Sequence, residues 1–314
     1  MTPVSGFHEG ELAVQRRAGV RSEAQRLSPM LERPFLGGGA GRFLADRDLA
    51  VLSARDGDGT LWVSPLVGAP GFLDAYGTAL RVGVLPRPRD PLEVPLAGGA
   101  AGLIAIDFAT RRRMRVNGTI EASGPYGFAL AVDQAYGNCP QYIQQRRVEH
   151  GHEDAGGADA VPEAGVVRGP GAREDRLTEE QAALIGRADT FFLGTAHPER
   201  GSDASHRGGP AGFVRVDDDG GLWWPDYPGN NMFNSLGNLA VDPTAAMLFV
   251  DFATGDTVQL TGTAAVDWTR SGVPGDDGGT GRRVRFMPRA TLSGRVDLWA
   301  AEVAPYRLNP PLTA

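Results

Sequence analysis

Apolar positions along the chain fall into short runs, with few of the long stripes an extended helix would need. Leu49-Ala50-Val51-Leu52-Ser53 and Thr190-Phe191-Phe192-Leu193-Gly194-Thr195 are brief segments rich in strand formers. Ala246-Met247-Leu248-Phe249-Val250 is almost wholly apolar, the pattern of a strand covered on both faces. Thr257-Val258-Gln259-Leu260-Thr261 alternates, which sends Val258 and Leu260 inward and Gln259 to the other face. Arg113-Met114-Arg115-Val116-Asn117 alternates likewise. Helical periodicity is confined to about Phe7–Met30 and to a segment opened by Thr178 and Gln181. That pair has capping-box spacing, with Leu184 and Ile185 on the apolar face that follows.

The strand-like segments recur. Ile104-Ala105-Ile106-Asp107-Phe108-Ala109-Thr110 returns as Leu248-Phe249-Val250-Asp251-Phe252-Ala253-Thr254, and Asn117-Gly118-Thr119 returns at the same separation as Thr261-Gly262-Thr263. Ser64 to Phe72 resembles Ser205 to Phe213. Three blocks in one order mean a duplicated unit. Each copy reads as about six short strands with one or two helices, which suits a small barrel whose closure removes exposed edges. The predicted organisation is a helical segment with the first barrel over 1–147, a flexible linker over 148–176 that is polar and rich in Gly and Ala, and the second barrel over 177–314.

Composition narrows the function. With 44 Gly and 23 Pro in 314 residues, turns are abundant, as in mostly β chains. A net charge of −7 argues against a general binder of nucleic acid or anionic membrane. Cys139 is the sole cysteine, so no internal disulfide forms. Neither a secretory leader nor a membrane-length apolar run is visible, which predicts a soluble, cytoplasmic protein.

Candidate chemistry concentrates in the second copy. Ser205-His206-Arg207 is followed by Gly208-Gly209, where a ligand can approach the backbone. Asn230-Asn231-Met232-Phe233-Asn234-Ser235 follows Gly229 and is expected to open a helix, whose free N–H groups attract anions. Each piece alone is commonplace. Together they point to a phosphate-bearing ligand, with Arg207 as a charge-assisted donor.

Asp203 to Pro210, Met232 to Asn238, Gly137 to Gln144 and the opening Phe7 to Gln15 resemble the pyridoxamine 5′-phosphate oxidase-like proteins, specifically the subgroup with two barrels in one chain. The resemblance implies a mostly β fold with short helices, two tandem split β-barrels forming an internal pseudo-dimer, with FMN in the groove between them. It places Ser205, His206 and Arg207 along the groove, Asn230, Asn231, Asn234 and Ser235 at the phosphate, Gln259 on a strand facing the cofactor, and Asn138, Gln141, Tyr142 and Gln144 as closing residues from the first copy.

There are departures. The phosphate segment lacks the Arg/Lys pair of the vitamin B6 oxidases, which speaks against pyridoxamine-phosphate oxidation. Its counterpart in the first copy, Leu85-Pro86-Arg87-Pro88-Arg89-Asp90-Pro91, is proline-rich and short of N–H donors, so one working site is expected. Cys139 reads as a structural thiol and His150 and His152 as solvated linker residues, leaving no metal site. Arg111-Arg112-Arg113 reads as a solvated turn.

The expected function is an FMN-dependent oxidoreductase acting on an unidentified small molecule with an unidentified electron donor. A deazaflavin coenzyme is the second choice of cofactor. The rival class is a non-catalytic flavin or haem binder, a sensor or carrier. No residue is assigned as catalytic, no nucleic-acid or membrane partner is expected, and the sequence leaves further pairing into a homodimer open.

Overall fold

The computed structural model describes residues 6–32, 34–150, 174, 176–274, 276–300 and 302–313. The first half contains α1 (Glu9–Ala18), α2 (Arg21–Gln25), a 3-10 turn (Ser28–Leu31), α3 (Gly38–Ala45), β1 (Leu49–Arg55), β2 (Leu61–Val67), β3 (Leu73–Tyr76), β4 (Ala79–Val82), β5 (Ala100–Asp107), β6 (Arg112–Gly124), β7 (Gly127–Asn138), β8 (Gln145–Arg146) and β9 (Glu149–His150). The second contains α4 (Glu179–Arg187), β10 (Thr190–His197), β11 (Gly201–Gly208), β12 (Arg215–Val216), β13 (Leu222–Pro225), α5 (Asn234–Val241), β14 (Thr244–Val250), β15 (Asp256–Trp268), β16 (Arg282–Arg295), β17 (Leu298–Trp299) and β18 (Val303–Ala304).

The two large sheets have the same strand order, β2-β1-β5-β6-β7-β4-β3 and β11-β10-β14-β15-β16-β13-β12, all antiparallel. The fold is therefore mostly β, two tandem split barrels, as the duplicated sequence implies. Each barrel has seven strands, one more than the alternation alone suggested. Two of the seven are long in each barrel, β6 and β7 in the first and β15 and β16 in the second, because β6 and β15 bulge rather than end. The bends fall at Asn117/Gly118 and Thr261/Gly262, the repeated motif. A side chain at Gly118 or Gly262 would overlap the carbonyl oxygen of Ala131 or Met287, so only glycine fits the bulge.

Each barrel has its own core: Leu52, Trp62, Leu80 and Leu103 in the first, Phe191, Trp224, Met247 and Phe249 in the second. A third core, with Val51, Val63 and Ile104 from one barrel and Phe192 and Leu248 from the other, joins them. At this seam Gly102 lies so close to the Asp203–Ala204 backbone that an added Cβ would stand 2.6 Å away. The expected alternation in β15 holds, with Val258 and Leu260 in the second core.

The N-terminal helical stretch is broken by Gly19, which adopts φ +72° and caps α1. Helix α1 packs on α5 of the second barrel, backbone against backbone, where Gly10 faces the Gly237 carbonyl. Its cap is His8, which with Glu11 forms a capping box. Thr178 and Gln181 form the box expected at α4. The short helix α3 had no clear sequence signal. Of the expected linker, Glu149 and His150 pair with β17, while His152 and the rest through 173 lie outside the described residues. No helix among the described residues is long and apolar enough to cross a membrane.

Candidate functional site

Alternation along β11 points Asp203, Ser205 and Arg207 one way and Ala204 and His206 the other. On the first side, Ser205 Oγ lies 3.1 Å from Ser235 Oγ, which donates to Asp203 Oδ2 at 3.2 Å, and Arg207 stands 3.8 Å from Asp226. On the second, His206 packs edge-on against Phe108 and Phe192 at the seam.

Strand β6 of the first barrel crosses to meet this wall. Arg113 Nη1 donates to His206 Nδ1 at 2.7 Å, and its Nη2 donates to the Cys139 carbonyl at 2.9 Å. Arg115 pairs with Asp203 at 3.0 Å and donates to Tyr136 Oη, which donates to Asn234 Oδ1. Asn234 Nδ2 donates to Glu11 Oε1 at 2.6 Å, so the network runs through both barrels and α1.

Arg113, Arg115, Ser205, His206 and Arg207 line one cleft between the barrels, with Asn138, Gln141 and Tyr142 on the first-barrel side and Asn230, Asn231, Asn234 and Ser235 on the other. Ten of the twelve residues singled out in the sequence are thus brought together. Helix α5 begins at Asn234, later than Asn230 or Asn231, because Asn231 (φ +63°) and Phe233 (φ +61°) are left-handed and break helical backbone. Tyr142 is left-handed too (φ +62°). Three bulky or polar residues in this costly conformation around one cleft are the kind of stored strain that accumulates at functional sites.

Two residues are corrected. Gln259 lies outside the cleft, fully buried, and donates to the Val63 carbonyl, Ser64 Oγ and Asp90 Oδ2 at 3.0–3.1 Å. Duplication explains it: Gln259 is the counterpart of Arg115, and each barrel lends that strand to the other's groove. The cleft of the second barrel uses Arg115, while Gln259 faces the mirror position. Gln144, also buried, holds the C-terminal tail instead, accepting from Tyr306 N at 2.8 Å and Asn309 Nδ2 at 2.9 Å.

The mirror position is filled by the chain itself. Arg87 Nη2 donates to Thr257 and Gln259, and Nη1 to the Arg295 carbonyl. Gly294 leaves the space it occupies, since a Cβ there would overlap the guanidinium.

The arginine run is a second correction. Arg111 is no solvated turn charge: it donates to the Ile143 carbonyl and to Ala304 and Pro305 of the tail. Arg113 is a cleft residue that sequence reasoning missed, and alternation with Arg115 was the signal available.

The electrostatics favour an anion. Burial, then Arg115 and Arg207, push Arg113 down to about 9, so it stays charged at neutral pH. No carboxylate pairs with it among the described residues. Burial and the flanking Arg113, Arg146 and Arg207 hold His206 well below its ordinary value, hence neutral. Because Arg113 can only donate to Nδ1, the His206 proton sits on Nε2. Five side-chain donors of residues lining the cleft are buried without partners: Nε of Arg113, Arg115 and Arg207, Nε2 of His206 and the hydroxyl of Tyr227.

His8, Glu9 and His197 also cluster, close enough to suggest a metal centre. Yet both imidazoles accept backbone N–H bonds at Nδ1, which leaves the proton on Nε2 of each, and His197 Nε2 donates to Glu9. The cluster is a hydrogen-bonded clasp for α1.

Residues 177–271 match the family model described as pyridoxamine 5′-phosphate oxidase. No curated protein matches the chain. Similar solved structures include HupZ from Group A Streptococcus, at TM-score 0.26 and 15% identity over 41% of this chain and 98% of its own. A Clostridium acetobutylicum protein of the pyridoxinephosphate oxidase family, related to general stress protein 26, gives TM-score 0.28 and 13% identity over 41% and 92%. The haem storage protein HutZ from Vibrio cholerae gives 0.27 and 13% over 40% and 94%.

Proposed function

We propose, from the match of residues 177–271 in the second barrel to the pyridoxamine 5′-phosphate oxidase family model, that the cleft between the barrels binds FMN and that the protein is an FMN-dependent oxidoreductase acting on a small molecule. The observation that carries this reading is the set of buried, unpartnered donors on Arg113, Arg115, Arg207, His206 and Tyr227. Leaving such groups unpaired costs about 1–3 kcal/mol each, so a ligand rich in acceptors is favoured. FMN has a phosphate, a ribityl chain and ring carbonyls, and so fits that donor set.

Arg113 and Arg207 hold the anionic end, with the N–H groups that open α5 beside them. Arg115, fixed by Asp203, and Asn234, fixed by Glu11 and Tyr136, keep the wall in place before a ligand arrives. Bound FMN supplies the hydride chemistry, and the protein's part is to hold and tune it.

A haem would need an axial donor. His206 is the one histidine among the described cleft residues, and its Nε2 carries a proton while Nδ1 is committed to Arg113. Flavin is therefore favoured over haem.

The test is the absorbance spectrum of purified protein with quantitative cofactor release. One FMN per chain is expected, since Arg87 fills the mirror groove. A colourless protein that takes up no added FMN sinks the reading. Two flavins per chain sink the single-site claim.

A further inference from the structure

Arg112 remains outside the site described so far. It lies at a second cavity of about 390 Å³, lined by Phe43 of α3, Arg111, Arg112, Arg113, Met114 and Pro140, with no carboxylate among the described lining residues. That volume is in the range of small-molecule pockets. The cavity shares Arg113 and Asn138 with the proposed flavin cleft. The Arg112 guanidinium is stacked 5.1 Å from the Phe43 ring centroid. Arg47 stacks on the same ring at 4.6 Å but is paired with Asp107 at 3.1 Å. Arg112 has neither an ion pair nor a hydrogen bond from its side chain among the described residues.

The internal duplication supplies a control. Counted from the shared Asp107/Asp251 motif, Arg111, Arg112, Arg113 and Arg115 correspond to Gly255, Asp256, Thr257 and Gln259. All four arginines lie on the side where the groove is open, and none on the side where Arg87 fills it. Random surface charge would not follow the open groove in this way, least of all in a chain of net charge −7.

We propose that this cavity is the substrate subsite and that it takes an organic anion, a carboxylate or phosphate ester with an apolar body. The charge lies against Arg112 and the body against Phe43, Met114 and Pro140, with the shared wall of Arg113 and Asn138 leading to the cofactor. The inference rests on the flavin reading for its meaning, but its binding test does not.

Binding of 4-fluorobenzoate, 4-fluorophenyl phosphate and neutral 4-fluorobenzamide to the purified full chain is followed by 19F NMR titration. At least one anion should bind more tightly than the amide, and the preferred one names the acidic group. Arg112→Ala and Arg112→Gln should each weaken that anion about tenfold, the loss of one charge-assisted contact. Thermal melting and FMN content should stay those of the parent, because Arg112 is exposed and outside the flavin cleft. The proposal is overturned if both variants bind the anions as the parent does, or if the amide binds as tightly as either anion. Anion binding that depends on Arg112 in a chain that takes up no FMN would uphold this subsite and remove the flavin reading alone.

Discussion

Arg113 in β6 of the first barrel donates to His206 Nδ1 in β11 of the second across 2.7 Å; that bond sets the tautomer of the histidine, which burial, with Arg113, Arg146 and Arg207 around it, keeps neutral. It also turns a charge with no carboxylate partner toward the cleft.

Substituting either arginine of the proposed flavin cleft should therefore act on FMN affinity. Arg113→Ala and Arg207→Ala should each weaken FMN about ten- to a hundredfold, the loss of a charge-assisted contact of about 1.5–3 kcal/mol. Arg81→Ala, at an exposed position on β4, removes the same charge and should leave affinity unchanged. Fluorescence titration of FMN into the folded apoproteins decides it. Equal affinity across the three variants would put the cofactor elsewhere.

Gln259 should behave as a stabilising residue only. Gln259→Ala leaves the Val63 carbonyl and one Asp90 oxygen without their donor in the dry seam. The expected loss is roughly 2–3 kcal/mol in denaturant unfolding, with FMN affinity unchanged. A variant that lost flavin while keeping its stability would reverse the assignment of the two grooves.

The α1 clasp carries two opposed titrations. Burial pushes Glu11 up to about 7 from its ordinary 4.5, so the native state holds more protons than the unfolded one between those values, and this group's contribution falls as pH rises through the window. Burial and His197 push His8 down to about 4 from 6.5, so its contribution rises with pH from 4 to 6.5. Gln also serves at the third helical position of a capping box. The stability difference between Glu11→Gln and the parent should thus grow in the variant's favour from pH 4.5 to 7 and then level off. A difference curve that is flat across that range contradicts the buried acid.

The tail hangs on Gln144. In Gln144→Ala the Tyr306 amide loses its acceptor, and its hydrogen exchange should quicken together with that of neighbouring tail amides, while core strands stay protected. Unchanged exchange at Tyr306 would show that the pairing of β18 with β8 and the Arg111 contacts hold the tail without Gln144.

How much of this was legible depends on whether the signal was local. Alternation in Thr257–Thr261, the apolar run Ala246–Val250, the Thr178–Gln181 box and the repeated Asp-Phe-Ala-Thr blocks are properties of neighbouring residues, and each became the element expected. Duplication implied two equivalent sheets, and the proline-rich Leu85–Pro91 raised the expectation of one working site, which flavin counting tests. The sequence could not tell which copy's strand faces which groove, because β6 and β15 cross the seam and exchange places. Gln259 was therefore assigned to the wrong groove, and Arg113 was taken for turn charge. Helix α5 starts late because left-handed Asn231 and Phe233 are imposed by the packing around them, which no cap motif announces. Local pattern determines strands, caps and repeats through hydrogen bonding and burial along a few residues. The site is assembled from side chains about a hundred positions apart, and only the packing of one barrel against the other brings Arg113, His206 and Asn234 to a single cleft.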